Sequence, residues 1–173
     1  MIDASKVPKQ LEDALGLCVV AVAKDSITGA SGETGHIASL RYTVKGTRTV
    51  FTAPYASVIG FMMKKDRVSG SGTPTPDMVY SYLKDLSAEQ MQELQQACSN
   101  VYQGTVGPGD AILLPSNWAF IERVTTGGDC IGLKIQFLGK VHIDEMVKAN
   151  TVLVAARQPD PMLTAAIDCL ALL

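Results

Sequence analysis

Apolar runs and the breakers between them divide this chain into two blocks of strands, with helices inserted between the blocks and appended after the second. Residues 8–15 carry leucine and alanine among charged residues and predict a short helix, closed by Gly16. Leu17 to Ala23 is unbroken and β-branched, so it reads as a buried strand. The glycine-rich stretch Asp25 to Gly35 reads as a loop. Leu40 to Ala53 is the clearest β segment. Its two halves flank Lys45-Gly46, which predicts a tight hairpin reversal, and Pro54 ends the second strand. Ala56–Lys65 predicts a short helix and residues 69–76 a breaker-rich loop. Two helices follow, Asp77–Leu86 and Ser87–Asn100. The second opens on Ser87 and Gln90, the spacing of a capping box.

Strands resume at Tyr102. A turn over Thr105–Asp110 precedes short strands at Ala111–Leu114, Ala119–Val124 and Cys130–Leu138. From His142 the pattern is helical, over 142–156 and 160–173. The last helix sets Met162, Ala165, Ala166, Cys169, Leu170 and Leu173 on one stripe. Grouped strands with helical additions fit an antiparallel barrel or sandwich better than alternating βαβ units.

Composition narrows the class. At 173 residues, 47% hydrophobic and 18% charged, the chain suits one domain with a packed core. A net charge of −2 and a pI of about 5.6 supply no basic excess for nucleic acid or anionic lipid. Cys18, Cys98, Cys130 and Cys169 are scattered, which does not make a disulfide framework and suggests a reducing compartment. The polar N-terminus is unlike a signal peptide, and no apolar stretch has the length of a membrane span. The expectation is a soluble intracellular protein.

Two segments carry a family resemblance. Leu40-Arg-Tyr-Thr-Val-Lys-Gly-Thr-Arg-Thr-Val-Phe-Thr-Ala-Pro54 is similar to the paired strands of the Jumonji-C and cupin-type oxygenases. Pro108-Gly-Asp-Ala-Ile-Leu-Leu-Pro-Ser-Asn-Trp-Ala-Phe-Ile-Glu-Arg-Val124 is similar to that family's Pro-Gly-Asp stretch, in which an apolar strand leads to a proline and a tryptophan-bearing turn. The resemblance extends over about half the chain, residues 33–54 and 105–138. The resemblance implies a mostly β, α+β fold: a cupin-like double-stranded β-helix barrel in a single domain, 1–173. The barrel would run over about 17–141, with a helical insertion at about 56–100 and C-terminal helices at about 142–173.

The same resemblance places the chemistry. The family's iron is held by a His-x-Asp/Glu pair and a distant histidine. The paired positions fall here on Glu33 and Gly35, and the distant one on Phe120. Glycine and phenylalanine offer no ligating side chain, so no metal or other cofactor is expected. Arg48 stands where many relatives carry a lysine that anchors the cosubstrate carboxylate, and a guanidinium can bind one bidentately. Glu122 and Arg123 point to opposite faces of a strand. An inward Glu122 would need a partner, for which Arg48 is the candidate.

The leading expectation is therefore a non-catalytic, cupin- or Jumonji-like binding or assembly protein, a pseudoenzyme acting as a structural subunit. The stripe of Met162, Ala166, Cys169, Leu170 and Leu173 would serve a homodimer or larger complex, or else pack on the chain's own barrel. Two alternatives remain open. One is an iron- and 2-oxoglutarate-dependent oxygenase with displaced ligands (Glu33, His36, Asp110). The other is a metal-free small-ligand binder lined by Tyr42, Arg48, Phe51, Trp118, Phe120 and Glu122.

Overall fold

A computed structural model describes residues 9, 13, 15–29, 37–65, 74–155, 157 and 159–171. Most of the predicted first helix, the loop histidine His36, Glu33, Gly35, Leu173 and most of the 69–76 loop lie outside the described residues. In chain order the elements are β1 (Gly16–Val22), β2 (Ile27–Thr28), β3 (Ala38–Pro54), α1 (Tyr55–Lys65), α2 (Pro76–Asp85) and α3 (Ala88–Ala97). Then come β4 (Tyr102–Val106), β5 (Ala111–Leu114), β6 (Trp118–Phe137), a 3-10 turn at Lys140–His142, α4 (Ile143–Ala155) and α5 (Pro161–Ala171). The fold is α+β: a curled, wholly antiparallel six-stranded half-barrel with helices on it.

Two long strands organise the sheet. β3 and β6 pair along nearly their whole lengths, from Ala38↔Phe137 to Pro54↔Trp118. The first half of β3 and the second half of β6 are flanked by β5 and β1. The other halves are flanked by β4 and β2. The sheet thus consists of two four-stranded lobes that share one pair of continuous strands.

The expected hairpin at Lys45-Gly46 does not form. β3 runs straight through it, because β6 supplies a partner on both sides of the glycine. Gly46 (φ 83°) instead marks an irregular stretch with register shifts between Thr43 and Thr49. Six residue steps along β3 there face nine along β6. An odd mismatch flips the parity of one strand relative to the other. Inward residues of β3 change from odd (Ser39, Arg41, Thr43) to even (Arg48, Val50), while those of β6 stay even throughout. The two strands expected at 119–124 and 130–138 are likewise one, β6.

Helices α1–α3 cover the outer face of the second lobe. Phe51, Ala53, Ala119 and Ile121 of the sheet pack against Val58, Phe61, Met62, Val79, Leu83, Leu86, Met91 and Leu94. Thr75 caps α2 by accepting from the Met78 N–H, and Ser87 and Gln90 form the expected capping box of α3. α4 and α5 pack on each other and on Ile37. β1 was expected to be buried but is an edge strand, and Leu17, Cys18 and Val19 are exposed. An apolar run guarantees strand propensity; whether it is buried depends on what the rest of the chain lays over it.

Candidate functional site

Inside the curl, the inward residues of both lobes meet. Glu122 on β6 is fully buried, and Arg48 on β3 is 2% exposed. Glu122 Oε1 lies 3.4 Å from Arg48 Nη1, across neighbouring strands. Its Oε2 lies 3.2 Å from Nη1 of Arg41, which comes from the other lobe. Arg41 also sits over the Phe120 ring, 4.3 Å from its centroid, a cation–π contact. The candidate pairing of Arg48 with an inward Glu122 is present; Arg41 joins it from a position the sequence had not singled out.

Electrostatically the cluster is lopsided. Two guanidiniums face one carboxylate. The contacts are ion-pair distances rather than aligned hydrogen bonds, and Arg48 Nε and Nη2 are buried without a hydrogen-bond partner, as is Thr43 Oγ1. The Cys130 thiol borders the same interior. Burial raises its pKa; Arg48 lowers it and Glu122 raises it by lesser amounts.

Among the described residues this interior does not offer a ferrous site. The one carboxylate they place in the cluster, Glu122, is already engaged by two cations, which would repel a third. Phe120, at the expected second-histidine position, is buried beneath Arg41. Among the described residues no group of three or more His, Cys, Asp or Glu side chains converges. Asp110 is spent on its turn: Oδ2 accepts from the Gly107 N–H at 2.8 Å, and its carbonyl accepts from the Thr43 N–H at 2.9 Å. Glu33 and His36 lie outside the described residues. His142 sits in the 3-10 turn, its N–H donating to the Gly139 carbonyl.

The six proposed pocket residues do not converge. Arg48, Phe120 and Glu122 share the interior. Phe51 faces the helices on the opposite side of the sheet. Trp118 stacks on Tyr102 with centroids 5.8 Å apart. Tyr42 is 41% exposed on the outer face of the first lobe. Phe51 does line a cleft of about 160 Å³, with Thr49, Leu86, Met91, Ile121 and Arg123. That is below the roughly 300 Å³ at which small-molecule sites begin.

The terminal stripe is also accounted for. Ala166, Cys169 and Leu170 are buried against Ile37, Met146 and Leu153 of the same chain, with Met162 packed beside them. The described part of the stripe thus packs on its own chain, and Leu173 lies outside the described residues.

The feature the sequence reading missed is the outer face of the first lobe. Leu17, Ile135, Leu40 and Leu113 are consecutive cross-strand neighbours over β1, β6, β3 and β5. Val19, Leu133, Tyr42 and Ala111 form the next row. Leu17 is 65% exposed, Val19 71% and Leu113 57%; Leu40, Tyr42 and Ile135 are each more than a third exposed. No charged residue stands in either row. The lobe is inverted, with its charges inside and its apolar side chains outside. The available signal was the alternation Leu40, Tyr42, Val44 against Ser39, Arg41, Thr43.

No family model and no curated protein matches the chain. Among solved structures, Drosophila melanogaster CENP-C bound to CAL1 superposes with a TM-score of 0.41 at 6% identity, covering 70% of this chain and 64% of that one. Hydroxypropylphosphonic acid epoxidase from S. wedmorenis in complex with fosfomycin gives a TM-score of 0.40 at 11% identity, over 72% and 44%. The chain therefore spans less than two thirds of either. Among the described residues no helix is long and apolar enough to cross a membrane.

Proposed function

We propose that this protein is a non-catalytic, cupin-like half-barrel that works by binding another protein surface, as a subunit of an assembly. The observation that carries the reading is the uncovered apolar face of the first lobe. Helices cover the same side of the sheet over the second lobe, so the fold has a way to bury such a face, and no described residue covers this one. Burying a Leu or Val side chain is worth about 1.5–3 kcal/mol when complete, so the half-exposed residues here leave several kcal/mol to be gained by a cover.

The interior supports the non-catalytic half of the reading. A buried carboxylate held between two guanidiniums is neither a free base nor a metal ligand. The test is metal content with ferrous iron and 2-oxoglutarate supplied. The expected result is no stoichiometric iron and no cosubstrate turnover. Iron that binds at one per chain together with 2-oxoglutarate overturns the reading and favours an oxygenase with displaced ligands.

One observation favours a second reading, the metal-free small-ligand binder. Arg48 Nε and Nη2 are buried donors without a partner, and a small carboxylate would satisfy both. A thermal shift series with short mono- and dicarboxylates tests it; equal melting temperatures throughout would remove it.

A further inference from the structure

We infer that the cleft between the sheet of the second lobe and the corner of α2 and α3, with Arg123 in its wall, takes a short extended segment of a partner protein. In that segment a leucine-sized apolar residue and a carboxylate stand two positions apart. The inference rests on the assembly reading above and names the chemistry of the partner.

Arg123 is the residue that points to it. It lies on the outer side of β6, two positions from the buried Ile121, and is itself half-buried. Its Nη2 donates to the Lys84 carbonyl, in the last turn of α2, at 3.2 Å. Its Nε is buried without a hydrogen-bond partner. The two interior arginines, Arg41 and Arg48, share Glu122, but among the described residues no carboxylate pairs with Arg123. A guanidinium drawn away from water without an anion is costly, and a carboxylate is the anion that its forked donors match.

The cleft supplies the rest of the recognition. Phe51, Leu86, Met91 and Ile121 are its buried apolar lining, and Thr49, Gln103 and Arg123 its polar side chains. Its volume of about 160 Å³ is too small for a free ligand of ordinary size. It holds one side chain, in the manner of an anchor residue entering a pocket on its partner.

Register sets the spacing. Phe51 pairs with Ile121 and Thr49 with Arg123, so the apolar row and the arginine row are neighbours two residues apart along both strands. Two residues of strand span about 6.6 Å. An extended segment lying along the strands presents every second side chain to one face at that same interval. The anchor and the acid are therefore residues n and n+2. Beyond Arg123 a second recess of about 270 Å³, which Ser26, Ile27 and Val124 also line, leaves room for the segment to continue. Asp25 lines that recess as well, 3.9 Å from the Lys24 ammonium, and disfavours a second acid there.

The experiment is a heteronuclear NMR titration of the full chain with two capped pentapeptides, acetyl-Thr-Leu-Thr-Glu-Thr-amide and acetyl-Thr-Glu-Thr-Leu-Thr-amide. For at least one order, saturable shifts are expected around Leu86, Met91, Ile121 and Arg123. Replacing the peptide's glutamate by glutamine, or its leucine by alanine, should weaken binding at least about tenfold. These controls leave the protein untouched, so no folding defect can imitate them. Arg123→Gln should weaken the glutamate peptide about tenfold and leave the glutamine peptide unchanged, the signature of a direct pairing. Ala88→Phe, at an exposed position on the cleft wall, should block both peptides with the far-UV circular dichroism unchanged. No saturable shift with either order at about 5 mM peptide, a bound that excludes even millimolar affinity, overturns the inference. So does binding indifferent to the glutamate, or shifts centred on Leu17, Val19 and Leu113 instead. Hexanoate that binds as tightly as the peptides overturns it too, and assigns the cleft to small carboxylates. None of these results overturns the assembly reading, which falls on iron and cosubstrate binding.

Discussion

Arg41 and Glu122 come from opposite lobes of the sheet, yet Nη1 of the first lies 3.2 Å from Oε2 of the second. Glu122 is paired on the sheet with Val50, nine residues beyond Arg41 along β3. Nine residues of straight strand span about 30 Å, while the two side chains together reach about 10 Å. The contact is possible only because β3 bends at its irregular stretch. The ion pair is therefore a clasp across the curl, and Arg48, from beyond the bend, holds the same carboxylate in place.

Removing the carboxylate should cost more than removing the whole cluster. Glu122→Gln leaves two buried guanidiniums facing each other and is expected to lower stability by about 3–5 kcal/mol. Replacing Arg41 and Arg48 by Met and Glu122 by Leu together should cost less than that single change, because no charge is left uncompensated. Urea midpoints of the three proteins decide the matter. A silent Glu122→Gln would mean that the clasp carries no stability.

Gly132 should tolerate no side chain. A Cβ there would stand 2.6 Å from the backbone oxygen of Tyr42, and backbone cannot swing aside. Gly132→Ala is expected to cost about 2–4 kcal/mol or to abolish soluble expression. Gly104, in an exposed strand with nothing within 4 Å of its Cβ position, is the control. Gly104→Ala should stay within about 0.5 kcal/mol of wild type by thermal denaturation.

Stability should fall on the alkaline side through Tyr55. Burial, with the Asp77 carboxylate second, pushes its phenol from 10.0 up to about 12. The folded state therefore holds the proton more tightly than the unfolded state does. The associated stability is fully present below pH 10.0 and is lost as pH rises towards about 12. The loss can be at most about 1.4 kcal/mol per pH unit for one proton. Urea midpoints measured across that window should fall less steeply for Tyr55→Phe than for wild type.

The four thiols should label in order of exposure. Cys18 is exposed on the edge strand, Cys98 is intermediate, and Cys130 and Cys169 are buried. Burial also raises the Cys130 pKa, which lowers its thiolate fraction. With an aromatic disulfide reagent, Cys18 should react first. Cys130 and Cys169 should react only as the chain unfolds, which mass mapping of the labelled peptides would show.

Much of the architecture was legible because it is written locally. The capping box of Ser87 and Gln90, the proline that ends β3 and the stripe of α5 each depend on residues a few positions apart. Strand alternation set Glu122 and Arg123 on opposite faces, and the structure turns Glu122 inward to Arg48, the candidate partner. The continuity of β3 was not legible, because Lys45-Gly46 has the composition of a reversal and only a partner 86 residues downstream, Ile131, keeps the strand extended. The role of Arg41 was hidden for a related reason. Between Leu40 and Tyr42 an arginine normally points to solvent, and the inversion of the lobe becomes visible only once Glu122 is seen opposite.

The partnership of β3 with β6 also dictates when the sheet can exist. Every strand that β6 pairs with, β1, β2 and β3, precedes it, and between them lie three helices and two further strands. A chain emerging from the ribosome holds β1–β3 without their central partner until residue 118 and beyond have been made. Helices α1–α3 can form meanwhile from local contacts, but the sheet face they rest on includes Ala119 and Ile121. Pairings of such sequence separation place folding on the slow, millisecond-to-second side of the range for domains of this kind. Until β6 arrives, Leu17 and Val19 wait on an unpaired strand, and Leu40 and Tyr42 on one that has only β5 beside it, so the interval before closure is the one in which this protein most needs a chaperone's protection.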